Sequence, residues 1–119
     1  MTTTNPAIEA YALLGLARRA GSVVTGTGAV RDAVRDGRAR LVVLARDAAE
    51  GQRGKVDGLL RHRTTPHLVW GTQEELGQAV GSAPLSAIAI MEDGIAAQLQ
   101  AKLVMGEGSA VESDSDEDG

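Results

Sequence analysis

An uninterrupted apolar run, LVVLA at residues 41–45, is the sequence feature that most constrains the fold of this chain. Because no polar residues alternate with the apolar ones, the run predicts a strand that is covered on both faces of a sheet. The preceding residues 23–37 predict a short strand, a glycine turn and an amphipathic helix closed by Gly37. Ligands of such sheets bind where strands end and helices begin. If the two strands run in parallel, the turn at residues 26–29 and the pair Arg46 and Asp47 share one edge.

The rest of the chain also alternates helical and strand patterns. Apolar residues at helical spacing predict four further helices, over residues 5–19, 48–63, 72–81 and 94–104. Thr72 and Glu75 form a capping box at the start of the third of these helices. Apolar runs predict strands at residues 66–70, which we expect in the core, and at 84–91. This order predicts an α/β fold, namely a three-layer α/β/α sandwich around a small mixed four-stranded sheet.

The charge distribution divides the chain into a domain and a tail. Residues 106–119 contain six acidic residues and no basic one, so we expect a folded domain over residues 1–105 and a disordered acidic tail. Residues 1–63 contain 11 basic and 6 acidic residues, and ten of the basic ones are arginines. Arginine binds phosphate through a bidentate fork, so a basic half with an acidic tail is typical of nucleic-acid binders. A solvated arginine face without a partner would have the same composition.

The residue types exclude several classes of function. The chain has no cysteine, and His62 and His67 cannot share a helix face, so we expect no disulfide, thiol nucleophile or metal site. No serine has the G-x-S-x-G setting of a hydrolase, so we expect no catalysis. No apolar run can span a bilayer, and the first ten residues lack the pattern of a signal peptide. We therefore expect a cytoplasmic protein with no membrane partner.

The glycine turn admits a second interpretation. Gly26 and Gly28 supply the first two glycines of the dinucleotide-binding pattern G-x-G-x-x-G, and Asp47 follows near the position of a ribose-binding acid. The third glycine position is Arg31, which is too large for the close packing of helix and strand that this motif requires. A tight turn without a ligand is the simplest alternative for the same glycines.

Four segments together resemble one family, the kink-turn RNA-binding ribosomal proteins of the L7Ae and L30e type. They are LLGLARRAGSVVTG (13–26), AVRDGRARLVVLARDA (33–48), TPHLVWGTQEELGQAVG (65–81) and SAIAI (86–90). The opening LLGLARRAG is most similar to the small bacterial members of the family. The resemblance implies an α/β/α sandwich that binds RNA, either ribosomal or another structured RNA, without catalysis or cofactor. It also implies association with the ribosome as a candidate role, and we expect a monomer.

Carried over by position, the family's RNA-binding turn G-x-N-E-x-x-K falls on residues 26–32, where only Gly26 matches. Gly28 replaces the Asn, Ala29 the Glu and Asp32 the Lys. The resemblance also assigns contacts to a pair at the end of the second strand and to a loop that packs on a flipped-out nucleotide. The candidate RNA-binding residues are Gly26, Thr27, Gly28, Ala29, Arg31, Asp32, Arg35, Arg46, Asp47, Pro84 and Leu85. General RNA association with weak kink-turn selectivity is the first hypothesis, and a protein–protein adaptor that kept only the fold is the second.

Overall fold

Residues 6–106 are described by the structure, a computed structural model. Within this range helices and strands alternate, as the sequence predicts. The elements are α1 (Pro6–Arg19), β1 (Val23–Thr25), α2 (Thr27–Arg35), β2 (Leu41–Leu44), α3 (Glu50–Leu60), β3 (His67–Val69), α4 (Gln73–Ala79), β4 (Ala87–Ile90) and α5 (Asp93–Gly106). Except for Gly106, the acidic tail predicted at residues 106–119 lies outside the described residues.

The four strands form one mixed sheet in the order β1-β4-β2-β3. The strand β4 runs antiparallel to both of its neighbours, and β2 runs parallel to β3. Strands β1, β2 and β3 therefore point the same way, and their carboxyl ends meet the beginning of β4 at one edge. We call this the carboxyl edge; it comprises residues 26–29, 45–47, 70–73 and 84–86. The predicted placement of the glycine turn and of Arg46 and Asp47 on one edge is confirmed.

Each central strand buries both of its faces, because successive side chains point to opposite sides of a sheet. On β2, Leu41 and Val43 pack with residues of α1, α4 and α5, whereas Val42 and Leu44 pack with α2 and α3. All four side chains are at most 1% exposed. The predicted three-layer sandwich, with a strand at residues 41–45 covered on both faces, is confirmed.

The expectation that residues 66–70 form a core strand is wrong. Among the described residues β3 pairs with β2 alone and forms an edge of the sheet, where His67 and Val69 are exposed. Trp70 follows the strand and is buried, with its ring 5.0 Å from that of Tyr11 between centroids. Pro66 is consistent with an edge position, because proline cannot donate a hydrogen bond to a neighbouring strand.

Candidate nucleic-acid interface

The glycine turn holds the amino end of α2 at the carboxyl edge. Gly26 has a φ of +94°, which side chains disfavour, and its N–H donates to the carbonyl oxygen of Ala87 at 2.9 Å. Its own carbonyl accepts from the N–H of Val30 at 2.9 Å, which starts the helix. As a glycine, it has no side chain with which to cap this end. The first N–H groups of a helix have no intrahelical acceptor, so this end of α2 offers backbone donors to an anion.

Gln73 joins three segments of the carboxyl edge. Its N–H donates to Oδ1 of Asp47 at 2.8 Å, and its side-chain Nε2 donates to the carbonyl oxygen of Asp47 at 2.9 Å. Its Oε1 accepts from the hydroxyl of Ser86 at 3.2 Å, and its carbonyl accepts from the N–H of Leu85 at 3.0 Å. Asp47 thus holds the edge together, which argues against the ribose contact of the dinucleotide interpretation. The neighbouring Arg46 is exposed at the same edge, and its N–H donates to Gly71 at 2.7 Å.

Gly77 allows the loop that carries Pro84 and Leu85 to pack closely against α4. A Cβ at this position in α4 would lie 2.7 Å from the carbonyl carbon of Ala83 and 2.9 Å from the carbonyl oxygen of Ser82. The loop backbone therefore approaches the helix closely because residue 77 has no side chain. Sequence reasoning missed both Gly77 and Gln73. A glycine inside a helical pattern is the one local indication of such a close approach.

The candidate residues on α2 are not all at the carboxyl edge. Gly28 and Ala29 are exposed in the first turn of the helix. Arg31 is half-buried, and its Nε is buried without a hydrogen-bond partner among the described residues. Asp32 forms an exposed ion pair with Arg35 at 3.0 Å. Arg35 is the last residue of α2, and the structure does not bring it to the carboxyl edge.

The carboxyl edge thus combines backbone donors, an exposed arginine and a loop with Pro84 and Leu85. The described residues contain no group of three or more side chains that could hold a metal ion. None of the helices in residues 6–106 is long and apolar enough to cross a membrane. The arrangement can bind an anionic, extended ligand through its backbone donors and its arginine.

The family model described as "Ribosomal protein L7Ae/L30e/S12e/Gadd45 family" matches residues 8–100. The chain belongs to this family. This membership confirms the resemblance found in the sequence. Among curated relatives, the "RNA-binding protein YlxQ" of Bacillus subtilis is 33% identical over 92 residues, 77% of this chain and 92% of the relative. The protein of the same name from Enterococcus faecium is 31% identical over 88 residues, 74% of this chain and 84% of the relative.

Two solved structures share the fold of this chain. A protein of unknown function from Bacillus halodurans superposes with a TM-score of 0.76 and 32% identity, over 80% of this chain and 96% of that one. The 15.5kD RNA binding protein of Giardia lamblia superposes with a TM-score of 0.69 and 18% identity, over 91% of this chain and 92% of its own. The second likeness concerns the fold alone.

Proposed function

We propose that this L7Ae-family protein binds structured RNA at the carboxyl edge and catalyses no reaction. The observation that carries the proposal is the meeting of three separate segments at this edge: residues 26–29, Arg46 with Asp47, and Pro84 with Leu85. The names of the Bacillus and Enterococcus relatives support RNA as the ligand. We further propose a cytoplasmic, monomeric protein that acts in translation on ribosomal RNA or another structured RNA.

Backbone phosphates are the part of RNA that this edge suits best. The N–H groups of the first turn of α2 and the positive end of its dipole attract a phosphate, and Arg46 adds a full charge at the same edge of the sheet. Phosphate contacts position a protein on its nucleic acid, whereas contacts to base edges specify the sequence. Gly28 and Ala29 have no polar side-chain atoms with which to bind base edges. We therefore propose less than about a tenfold preference for a kink-turn over a plain duplex.

Replacing Arg46, at the carboxyl edge, and Arg31, in the turn of α2 that follows residues 26–29, by glutamine should weaken RNA binding and reduce its dependence on salt. For every phosphate that the variant no longer binds, the slope of log affinity against log salt should become shallower by roughly one unit. The measurement is a titration of a structured RNA at several salt concentrations, with thermal unfolding as a check that the variant is folded.

The control variant R19Q/K55Q removes the same charge at two exposed residues outside the carboxyl edge. It should retain both the affinity and the slope. A double variant R31Q/R46Q that binds like the wild type would show that the site is elsewhere. A wild-type protein without salt-dependent RNA affinity would favour the adaptor hypothesis.

The acidic tail is proposed to compete with RNA for the carboxyl edge. Near the end of α5, Lys102 pairs with Glu9 in the first turn of α1 at 2.6 Å. Two residues further along α1, Tyr11 contacts Trp70 at the carboxyl edge. The chain therefore leaves α5 on the side of this edge. Six negative charges on a segment that begins there can approach the same groups that attract phosphate.

Truncation after Met105 should tighten RNA binding at low salt. The gain should shrink as the Debye length falls to about 8 Å at physiological ionic strength, because the competition is electrostatic. A full-length variant with its six tail acids changed to the corresponding amides should behave like the truncated protein. Equal affinities of all three proteins at low salt would leave the tail without a role in binding.

A further inference from the structure

Most arginines lie at the end of the sheet opposite to the carboxyl edge. Strands β1, β2 and β3 all begin at this opposite end, so the helices that precede them end there. Seven of the ten arginines stand in the last turns of these helices or in the segments that lead into the strands: Arg18, Arg19, Arg35, Arg38, Arg40, Arg61 and Arg63. The arginine content that predicts an RNA partner is thus concentrated away from the proposed edge.

A polar cleft opens at this end, on the side of the sheet covered by α2 and α3. Its volume is about 410 Å³, and Arg40, Arg63, Thr64 and Thr65 line it together with Asp93. Arg40 donates from Nη1 to the carbonyl oxygen of Gly37 at 3.2 Å, and its Nε pairs with Asp93 at 3.2 Å. Arg63 donates from Nη1 to the carbonyl oxygen of Arg35 at 3.5 Å. These contacts place two guanidinium groups at the same cleft.

Arg40 and Arg63 neutralise the negative carboxyl end of α2, but this role uses only part of their hydrogen-bonding capacity. Cations are favoured at helix carboxyl ends, and one N–H of each guanidinium is used in that way. A guanidinium has five N–H groups, so both side chains keep donors for another acceptor. The ion pair between Arg40 and Asp93 competes with such an acceptor for Arg40. This ion pair is weak, because the two side chains are 46% and 85% exposed. Among the described residues, Arg63 forms no ion pair with a carboxylate.

We propose that the cleft between Arg40 and Arg63 is a second RNA-backbone site, through which one protein molecule bridges two RNA segments. This inference rests on the proposed function, which makes RNA the ligand of the carboxyl edge. At this end of the sheet, the side covered by α2 and α3 has no lysine but five arginines: Arg35, Arg38, Arg40, Arg61 and Arg63. The guanidinium fork of an arginine binds two phosphate oxygens at once. The two sites lie at opposite ends of the strands, so each can take a separate RNA segment.

The test uses one short RNA duplex prepared with either a donor or an acceptor dye and titrated with the full chain. The wild type should bring two duplexes together, so energy transfer should appear at a ratio of two duplexes to one protein. The variant R40Q/R63Q should bind the first duplex normally and the second at least tenfold more weakly. The control R19Q/K55Q loses the same charge, with Arg19 at the same end but on the α1 side, and should keep both binding events.

A second variant predicts a change in the opposite direction, which misfolding cannot mimic. Asp93→Asn removes the carboxylate that competes for Arg40, so it should tighten binding of the second duplex severalfold. A wild type that binds a single duplex, or a second event that is unchanged in R40Q/R63Q and D93N, overturns the bridging site but leaves the proposed function intact. If the cleft binds an acidic protein and not RNA, the wild type will bind a single duplex. A wild type that binds no RNA overturns the proposed function itself.

Discussion

Replacing Gly77 with alanine is expected to lower the free energy of unfolding by about 2–3 kcal/mol, the upper range for an overpacked site. The added Cβ would meet backbone atoms of Ser82 and Ala83 at 2.9 and 2.7 Å, and backbone atoms cannot rotate away as a side chain can. The better helix propensity of alanine offsets up to about 1 kcal/mol of this loss, which is less than the energetic cost of the clash. Relief of the clash would displace Pro84 and Leu85, so RNA affinity should fall as well. Urea unfolding and an RNA titration of the same sample measure both effects.

Gly54 in α3 provides the matched control. A Cβ at this position meets no atom within 4 Å, so the same substitution should be neutral or stabilising by up to about 1 kcal/mol. If G77A and G54A had the same stability, the close approach of the loop to α4 would be contradicted.

Replacing Gly28 with asparagine and Ala29 with glutamate is expected to raise the preference for a kink-turn over a plain duplex to roughly a hundredfold. Each regained base contact contributes about 1–3 kcal/mol, and about 1.4 kcal/mol corresponds to a factor of ten. The structure has room for these side chains, because residues 28 and 29 are exposed and a Cβ at residue 28 meets no atom within 4 Å. Competition between the two RNAs measures the preference.

The variant G28A adds the Cβ without polar atoms and should keep the wild-type preference of less than about tenfold. A wild-type preference near a hundredfold would show that backbone groups or other residues recognise the kink-turn. Failure of G28N/A29E to gain selectivity would show that the carried-over turn does not contact the RNA bases.

The layers of the fold could be predicted because each depends on a local pattern. The apolar run at residues 41–45 contains the information that both faces of its strand are covered. The capping box of Thr72 and Glu75 is present with both of its hydrogen bonds. The edge position of β3 was not predicted, because an apolar run indicates that a strand can be buried but not how many strands pair with it.

Only part of the candidate site could be predicted from the sequence, because its residues come from segments that are far apart along the chain. Residues 26–29 and Arg46 share the carboxyl edge because β1 and β2 point the same way, which the alternation of helices and strands suggests. Only its charge suggests Arg35 as a site residue, and it lies eight residues, or about 12 Å along the helix axis, beyond Thr27 at the start of α2. The bond between Gln73 and Asp47 joins residues 26 positions apart, and no local pattern records it.

The most direct test of RNA binding at the carboxyl edge is a titration of the ¹⁵N-labelled full chain with a structured RNA, followed through its backbone amide signals. At the first equivalent of RNA, the signals of residues 26–29, Arg46, Asp47 and Leu85 should shift, while those of Val43 and Ala89 inside the sheet should not. Saturation with RNA that leaves the signals of residues 26–29, Arg46 and Leu85 in place would contradict binding at this edge.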